Sequence, residues 1–372
     1  MKFDYLIVGA GYSGCILAER IATQLGKKVL IVESRNHIGG NAYDYYDDNG
    51  VLVHKYGPHI FHTSAKKVWN YLSNFTSWNG YNHYVKAVIE GKEVPIPFNF
   101  NSIYQLFPPK FAAKLEDLLL DKFKYGMKIP ILKLMKTDDP DLKFLADYIY
   151  KNVFLGYTSK QWGMKPEELD FSVSARVPVY LSRDNRYFQD IYQGLPAKGY
   201  TEMFKKMIDH PKISLLLQTG LREIVDDIKF DKLIYSGKID EYFDYIHGDL
   251  PYRSLEFDLV NYEKDHFQSG GQINYPNNYK YTRITEFKHL TRQKHYSTTV
   301  AYEFPQEYIK GKNIPYYPIP KDENHEQFAK YRKEAGKLKN VFFTGRLADY
   351  KYYDMDQTVL VALRLFENKI VK

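Results

Sequence analysis

The sequence predicts a mixed α/β chain with a parallel-sheet domain, a helical domain and an antiparallel-sheet domain. Three observations carry that expectation. A short apolar run opens the chain and passes through glycines into a helix and a second apolar run. Apolar residues then recur at helical spacing between about 100 and 170. Between about 250 and 305 the pattern changes to alternating aromatic and β-branched segments.

Tyr5-Leu6-Ile7-Val8 is continuously apolar, as a strand buried on both faces would be. Gly14, Leu17, Ala18, Ile21, Ala22 and Leu25 come next at helical spacing, and Gly26 stops the helix. Val29-Leu30-Ile31-Val32 is the second buried strand, ending at Glu33. The glycines of Val8-Gly9-Ala10-Gly11-Tyr12-Ser13-Gly14 therefore fall at a strand-to-helix turn, with an acid at the end of the next strand. A GxGxxG run alone says little. Inside a complete βαβ unit it predicts a Rossmann-like dinucleotide site. The glycines let the backbone approach a pyrophosphate on the helix N-terminus, and Glu33 can accept hydrogen bonds from ribose hydroxyls.

Asp47-Asp48-Asn49-Gly50 has the composition of a calcium loop but not its ligand spacing, so a tight hairpin turn is expected. Phe111, Leu115, Leu118, Leu119 and Phe123 share one helical face, as do Leu142, Leu145, Ala146, Ile149 and Val153. Tyr281-Thr282-Arg283-Ile284-Thr285-Glu286-Phe287 reads as antiparallel strand. Near the end, Val341-Phe342-Phe343-Thr344-Gly345-Arg346 is a strand entering a glycine turn. Val359, Ala362, Leu363, Phe366 and Ile370 mark a closing helix.

Composition narrows the function classes. No apolar run approaches 18 residues, so no membrane insertion is expected, and the immediate strand at the start leaves no room for a signal peptide. The single cysteine, Cys15, excludes internal disulfides and a thiolate metal cluster and fits a cytoplasmic location. A net charge of +7 suits an anionic ligand and an ordinary solvated surface equally, while the lack of any Lys/Arg block argues against nucleic acid. Thirty-five tyrosines offer flat faces and hydroxyls for a polar, ring-bearing ligand.

A second glycine pair, Gly39-Gly40, comes soon after Glu33, with Arg35 between. Two glycine turns this near one pyrophosphate resemble the FAD-binding half of the amine-oxidase-like flavoproteins, so FAD is expected rather than NAD. The terminal strand–glycine–helix is the third element of that pattern, its helix N-terminus facing the flavin pyrimidine.

Four further stretches are Tyr56-Gly57-Pro58-His59-Ile60-Phe61-His62-Thr63, Gly156-Tyr157-Thr158-Ser159-Lys160-Gln161-Trp162-Gly163, Pro315-Tyr316-Tyr317-Pro318 and Lys351-Tyr352-Tyr353-Asp354-Met355-Asp356-Gln357. Together with the glycine turns, and in this order, they closely resemble the bacterial UDP-galactopyranose mutases from end to end. The resemblance implies a discontinuous FAD-binding domain (1–78, 193–246 and 335–372), a helical domain (100–170) and an antiparallel-sheet substrate domain (79–99, 171–192 and 247–334). It implies interconversion of UDP-galactopyranose and UDP-galactofuranose by a cytoplasmic homodimer with non-covalent FAD. N5 of the reduced flavin would attack C1, UDP would leave, and the C4 hydroxyl would reclose the ring.

The same resemblance assigns residues. Arg176 and Arg283 occupy the two arginine positions that hold the diphosphate, a task for which a planar, always-charged fork is suited. His59 lies in the histidine loop beside the flavin. Phe154, Tyr157, Thr158 and Trp162 sit where the family binds the uridine end. Tyr187, Arg253, Asn274, Tyr317, Tyr352 and Asp354 match other substrate contacts. His83 stands where many relatives carry asparagine, which leaves that contact's role open. FAD would be held by Gly9, Gly11, Ser13, Gly14, Glu33, Arg35, Gly39, Gly40, Asn41, His59, Ile60, Arg346, Met355, Asp356 and Gln357. Asp354 with Gln357 three residues on also fits a helix capping box. His59 with His62 could suggest a metal, but no acid or cysteine stands at ligand spacing, and none is expected. Cys15 reads as a small core residue. Three rival readings are a mutase for another nucleotide sugar (N-acetylated or deoxy), an amine-oxidase-like oxidoreductase, whose substrate would need no diphosphate clamp, and a non-catalytic flavin-binding protein, for which the arginines and tyrosines would be accidental.

Overall fold

The computed structural model describes residues 2–164 and 178–371. The chain divides into two compact units, one comprising Met1–Tyr81, Asp190–Tyr252 and Tyr317–Lys372, the other Asn82–Gln189 and Arg253–Tyr316.

In the first unit, β1 (Lys2–Val8), α1 (Tyr12–Gln24) and β2 (Val29–Glu33) form the expected βαβ. β1 lies parallel to β2, with Tyr5 opposite Val29 and Val8 opposite Val32, and parallel to the strand Lys229–Tyr235 on its other edge. Ile213–Leu217 pairs beyond β2 and Val341–Phe343 beyond Lys229–Tyr235, completing a five-stranded parallel sheet. All five residues of β2 are buried, which is why its sequence does not alternate. α1 is buried over most of its circumference and packs against the helices Met355–Leu365 and Tyr200–Ile208. A Cβ on Gly14 would lie 1.9 Å from the Gly9 carbonyl oxygen, so only glycine lets α1 rest this close to the end of β1. Cys15 is fully buried, its thiol donating to the Ala10 carbonyl at 3.2 Å, and burial raises its pKa far above the usual value. The expected hairpin turn joins the antiparallel strands Asp44–Tyr46 and Leu52–His54, with Asp47 Oδ1 accepting the N–H groups of Asn49 and Val51.

In the second unit the sheet runs in the order Tyr252–Tyr262, Thr298–Glu307, Arg283–Glu286, Gln272–Asn274, Val85–Ile89, Lys92–Ile96. Every neighbouring pair is antiparallel but one. Gln272–Asn274 lies parallel to Val85–Ile89, because the sheet joins two chain segments far apart in sequence. The helices Phe100–Leu106, Pro109–Lys122 and Pro140–Ile149 share one core with this sheet, where Leu115, Leu145 and Ile149 meet Val85, Ala87 and Ile96. The helical pattern over 142–155 is not one α-helix. It winds from Tyr150 to Leu155 as a π-helical turn before the helix Gly156–Trp162. That wider turn keeps Val153 and Phe154 in the core while resetting the phase of the helix Gly156–Trp162. Among the described residues no helix is long and apolar enough to cross a membrane.

Candidate active site

The first unit builds a dinucleotide cradle from three chain turns. Gly11 precedes α1 and no side chain caps it, so the first-turn N–H groups keep their affinity for an anion. The Gly39 N–H donates to the Ala10 carbonyl at 2.8 Å, and a Cβ on Gly40 would stand 3.0 Å from Cα of Gly11. Gly40 itself has φ +57°, which a β-carbon disfavours. The third turn reaches the same place, where a Cβ on Gly345 would meet Ser13 Oγ at 3.0 Å.

Glu33 has a task that its motif does not reveal. It is buried, and its two carboxylate oxygens accept the N–H groups of Ala10 (2.9 Å) and Arg35 (3.0 Å). It thus welds the first glycine turn to the end of β2. Arg35 donates to Asn41 Oδ1 at 3.0 Å and lies 4.4 Å over the Tyr56 ring, and its buried Nη1 has no hydrogen-bond partner among the described residues. A buried guanidinium nitrogen lacking an acceptor, beside a cradle that a Cβ would fill, fits a phosphate-bearing cofactor.

His59 Nδ1 lies 2.8 Å from the Gly57 carbonyl, which can only accept, so that nitrogen carries the proton. Its backbone N–H donates to His54 Nδ1, and its carbonyl accepts from the Tyr200 hydroxyl. Burial depresses His54 to about 3. Ile60 is buried beside this loop. His62 turns instead to Asp190, at 2.8 Å. Asp354 precedes the helix Met355–Leu365, and the Gln357 side chain accepts its N–H at 3.1 Å, as the capping pattern predicts. Asp356 accepts from the Thr63 hydroxyl at 2.9 Å, and burial raises its pKa. Arg346 lies 5.9 Å over the Tyr352 ring, which stacks on Tyr317 at 5.5 Å.

The second unit carries His83, Phe154, Tyr157, Thr158, Trp162, Tyr187, Arg253, Asn274 and Arg283 of the predicted substrate residues, whereas Tyr317, Tyr352 and Asp354 belong to the first. Asn274 and Arg283 face each other across the hairpin formed by Gln272–Asn274 and Arg283–Glu286. Arg283 Nε donates to Glu303 Oε2 at 2.7 Å, and Glu303 is only 1% exposed. Glu303, which the sequence pattern did not single out, therefore fixes the orientation of that guanidinium. Tyr157 and Thr158 are half-buried on the helix Gly156–Trp162, and Trp162 is buried. Arg253 Nε donates to the Gln161 carbonyl at 3.2 Å, at the C-terminal end of that helix. Lys160 Nζ lies within hydrogen-bond reach of four carbonyls of the segment 275–281, and burial pulls its pKa down to about 8. His83 is buried with its ring 5.6 Å from Tyr187 and 5.8 Å from Phe188, and Tyr187 packs on the same core that holds Phe154. Arg176 lies outside the described residues.

One cluster was missed because His266 stands far in sequence from Glu286 and His289, which are three residues apart. Ligand atoms of His266, Glu286 and His289 lie within 4.8 Å of one another. Glu286 already accepts from the backbone of Phe267 and Gln268 and from Thr298 Oγ1. The two imidazoles stack at 4.3 Å and 20°, so their in-plane lone pairs do not converge on one ion.

Residues 152–352 match the family described as UDP-galactopyranose mutase, and residues 7–75 match an NAD(P)-binding Rossmann-like domain. The chain is 38% identical to a UDP-galactopyranose mutase of Mycoplasma genitalium, over 98% of this chain and 94% of that one. The chain belongs to the UDP-galactopyranose mutase family. A probable UDP-galactopyranose mutase of Klebsiella pneumoniae is 37% identical over 97% of this chain and 93% of its own, and a dTDP-fucopyranose mutase of Escherichia coli is 34% identical over 96% of each. Among solved structures, a reduced UDP-galactopyranose mutase superposes with a TM-score of 0.72 at 15% identity, over 100% of this chain and 94% of that one. As a member of the UDP-galactopyranose mutase family the chain is an enzyme of the isomerase class, with a Rossmann-like dinucleotide-binding domain.

Proposed function

We propose that the enzyme interconverts UDP-galactopyranose and UDP-galactofuranose with FAD as its bound dinucleotide. The observation that carries this reading is Arg283, held by a buried carboxylate and facing Asn274, in a chain 37–38% identical over nearly its full length to mutases of that name. When bound in that cradle, reduced FAD would supply a nucleophile, its N5, for the anomeric carbon. The protein's own work is to bind the diphosphate leaving group and hold the nucleotide while the sugar ring opens and recloses. Arg283 and Arg176 act on the diphosphate. Tyr157, Thr158, Trp162 and Phe154 take the uridine end, with His83, Tyr187, Arg253 and Asn274 completing the nucleotide-sugar contacts. Tyr317, Tyr352 and Asp354 belong to the same contact set, and His59 works beside the cofactor. Gly9, Gly11, Ser13, Gly14, Glu33, Arg35, Gly39, Gly40, Asn41, Ile60, Arg346, Met355, Asp356 and Gln357 hold the FAD. The enzyme works in the cytoplasm as a homodimer.

A deoxysugar nucleotide is the second reading, because a relative of similar identity is named dTDP-fucopyranose mutase. Incubating reduced protein separately with UDP-galactopyranose, UDP-N-acetylgalactosamine and dTDP-fucopyranose, then separating pyranose from furanose, decides between them. Turnover of dTDP-fucopyranose with none of UDP-galactopyranose would overturn the first reading.

A further inference from the structure

The connection between Gln272–Asn274 and Arg283–Glu286 is wrapped around a single ammonium group. Lys160 Nζ lies within hydrogen-bond reach of the carbonyls of Tyr275, Asn277 (3.1 Å), Tyr279 (3.2 Å) and Tyr281 (3.1 Å), every second residue of the loop, so its three N–H groups are shared among four acceptors. Two further contacts bind the loop to the same helix. A Cβ on Gly156 would fall 2.3 Å from the Pro276 carbonyl oxygen, so glycine is required where the loop crosses the helix start. Asn277 Nδ2 donates to the Asn152 carbonyl at 3.2 Å, in the π-helical turn just before it. The loop itself is closed by the Tyr275 N–H donating to the Thr282 carbonyl at 2.8 Å.

Four converging carbonyl dipoles resemble the coordination of a monovalent cation. A loop so arranged repels its own oxygens unless a positive charge sits among them. The ends of this loop are Asn274 and Arg283, and the helix that supplies the charge carries Tyr157, Thr158 and Trp162. We propose that Lys160 is a positioning residue, a tethered cation that fixes the diphosphate-binding arginine Arg283 in register with the uridine-binding helix. The inference rests on the assignment of those residues to the nucleotide sugar. Lys160 need not touch the substrate; it sets the spacing between the group that holds the base and the group that holds the charge.

The test uses the full-length reduced enzyme. Lys160→Met should raise the KM for UDP-galactopyranose and the Kd of UDP by about tenfold, the size of one misplaced charge-assisted contact. The rate at saturation should fall by less. Lys160→Ala should behave alike, and n-propylammonium, which replaces the missing stem and charge, should restore at least threefold of the lost UDP affinity. Tetramethylammonium, which has no N–H to donate, should restore none. Lys160→Arg should remain impaired, since a larger planar guanidinium cannot place a compact charge at the point where the four carbonyls converge. Wild-type UDP affinity in Lys160→Met would overturn the proposal, as would a loss in Lys160→Ala that n-propylammonium leaves untouched. A separate control keeps the underlying assignment distinct: if Arg283→Ala and Trp162→Phe also bind UDP like wild type, the nucleotide site itself is misplaced.

Discussion

A Cβ placed on Gly40 would stand 3.0 Å from Cα of Gly11, so the two glycine turns touch backbone to backbone. Nothing larger than hydrogen fits there without parting them. Gly40→Ala should therefore separate the turns and add a left-handed residue with a side chain, costing about 1–2 kcal/mol of stability. Purified Gly40→Ala should carry far less flavin than wild type, read from the ratio of visible to protein absorbance. Full flavin occupancy in that variant would count against the cradle.

Turnover should appear only after reduction. Oxidised N5 is an electrophile and cannot attack an anomeric carbon. Dithionite-treated enzyme should form furanose under anaerobic conditions, and untreated enzyme should form almost none. Equal rates in the two would remove the flavin nucleophile from the mechanism.

Replacing Arg283 has two consequences that can be measured apart. Arg283→Ala leaves Glu303 buried without its partner, which costs about 3–5 kcal/mol of stability. On its proposed role at the diphosphate, the loss should also cost about 2–5 kcal/mol in transition-state stabilisation. Glu303→Gln should damage turnover while sparing much of the fold, because Arg283 keeps a neutral acceptor but loses its fixed direction. Denaturation midpoints and kcat/KM for the two variants separate the effects.

These cases show what the sequence could and could not carry. The cradle was legible because Gly9, Gly11, Gly14 and Glu33 act within one βαβ unit, where spacing and geometry are nearly the same thing. Arg283 was reached only through resemblance, since a single arginine on an alternating strand has no local signature. Its partner Glu303 was missed because strand register, not sequence distance, brings the two together. Lys160 has no signature of its own in the sequence, since backbone carbonyls leave no trace in the residue types that carry them. The π-helical turn before it breaks a pattern that reads as one amphipathic helix.

Acid should loosen the second unit through Glu286. Burial acts to raise its pKa, but hydrogen bonds from His289, Thr298, Gln268 and Phe267 outweigh that and hold it at about 2. A carboxylate depressed on folding contributes stability that is fully present above its unfolded pKa, near 4.5, and lost as pH falls toward 2. The contribution is about 3 kcal/mol. His289 is raised by the same pairing, so its contribution is complete below pH 6.5 and fades as pH rises through its folded value. Urea midpoints at pH 7, 5 and 3 should fall more steeply for wild type than for Glu286→Gln. Parallel slopes would show that this carboxylate is not the acid-sensitive group.

Trp162 decides what the helix Gly156–Trp162 recognises. If the uridine end lies against it, UDP alone should bind and compete with substrate, and free galactose should hardly bind. The base and the diphosphate then supply most of the contact area and nearly all of the charge, while the sugar stays loosely held so that it can open and reclose. Trp162 is buried, so Trp162→Ala also opens a cavity, at a cost of about 3–5 kcal/mol to the fold. Trp162→Phe keeps an aromatic face and limits that loss. Calorimetric titration with UDP, well below each variant's melting temperature, should show Ala weaker than wild type by about 1–3 kcal/mol, with Phe between them. The flavin spectrum should not change in either. Unchanged UDP affinity in folded Trp162→Ala would make this tryptophan a core residue and move the uridine contact elsewhere on the helix.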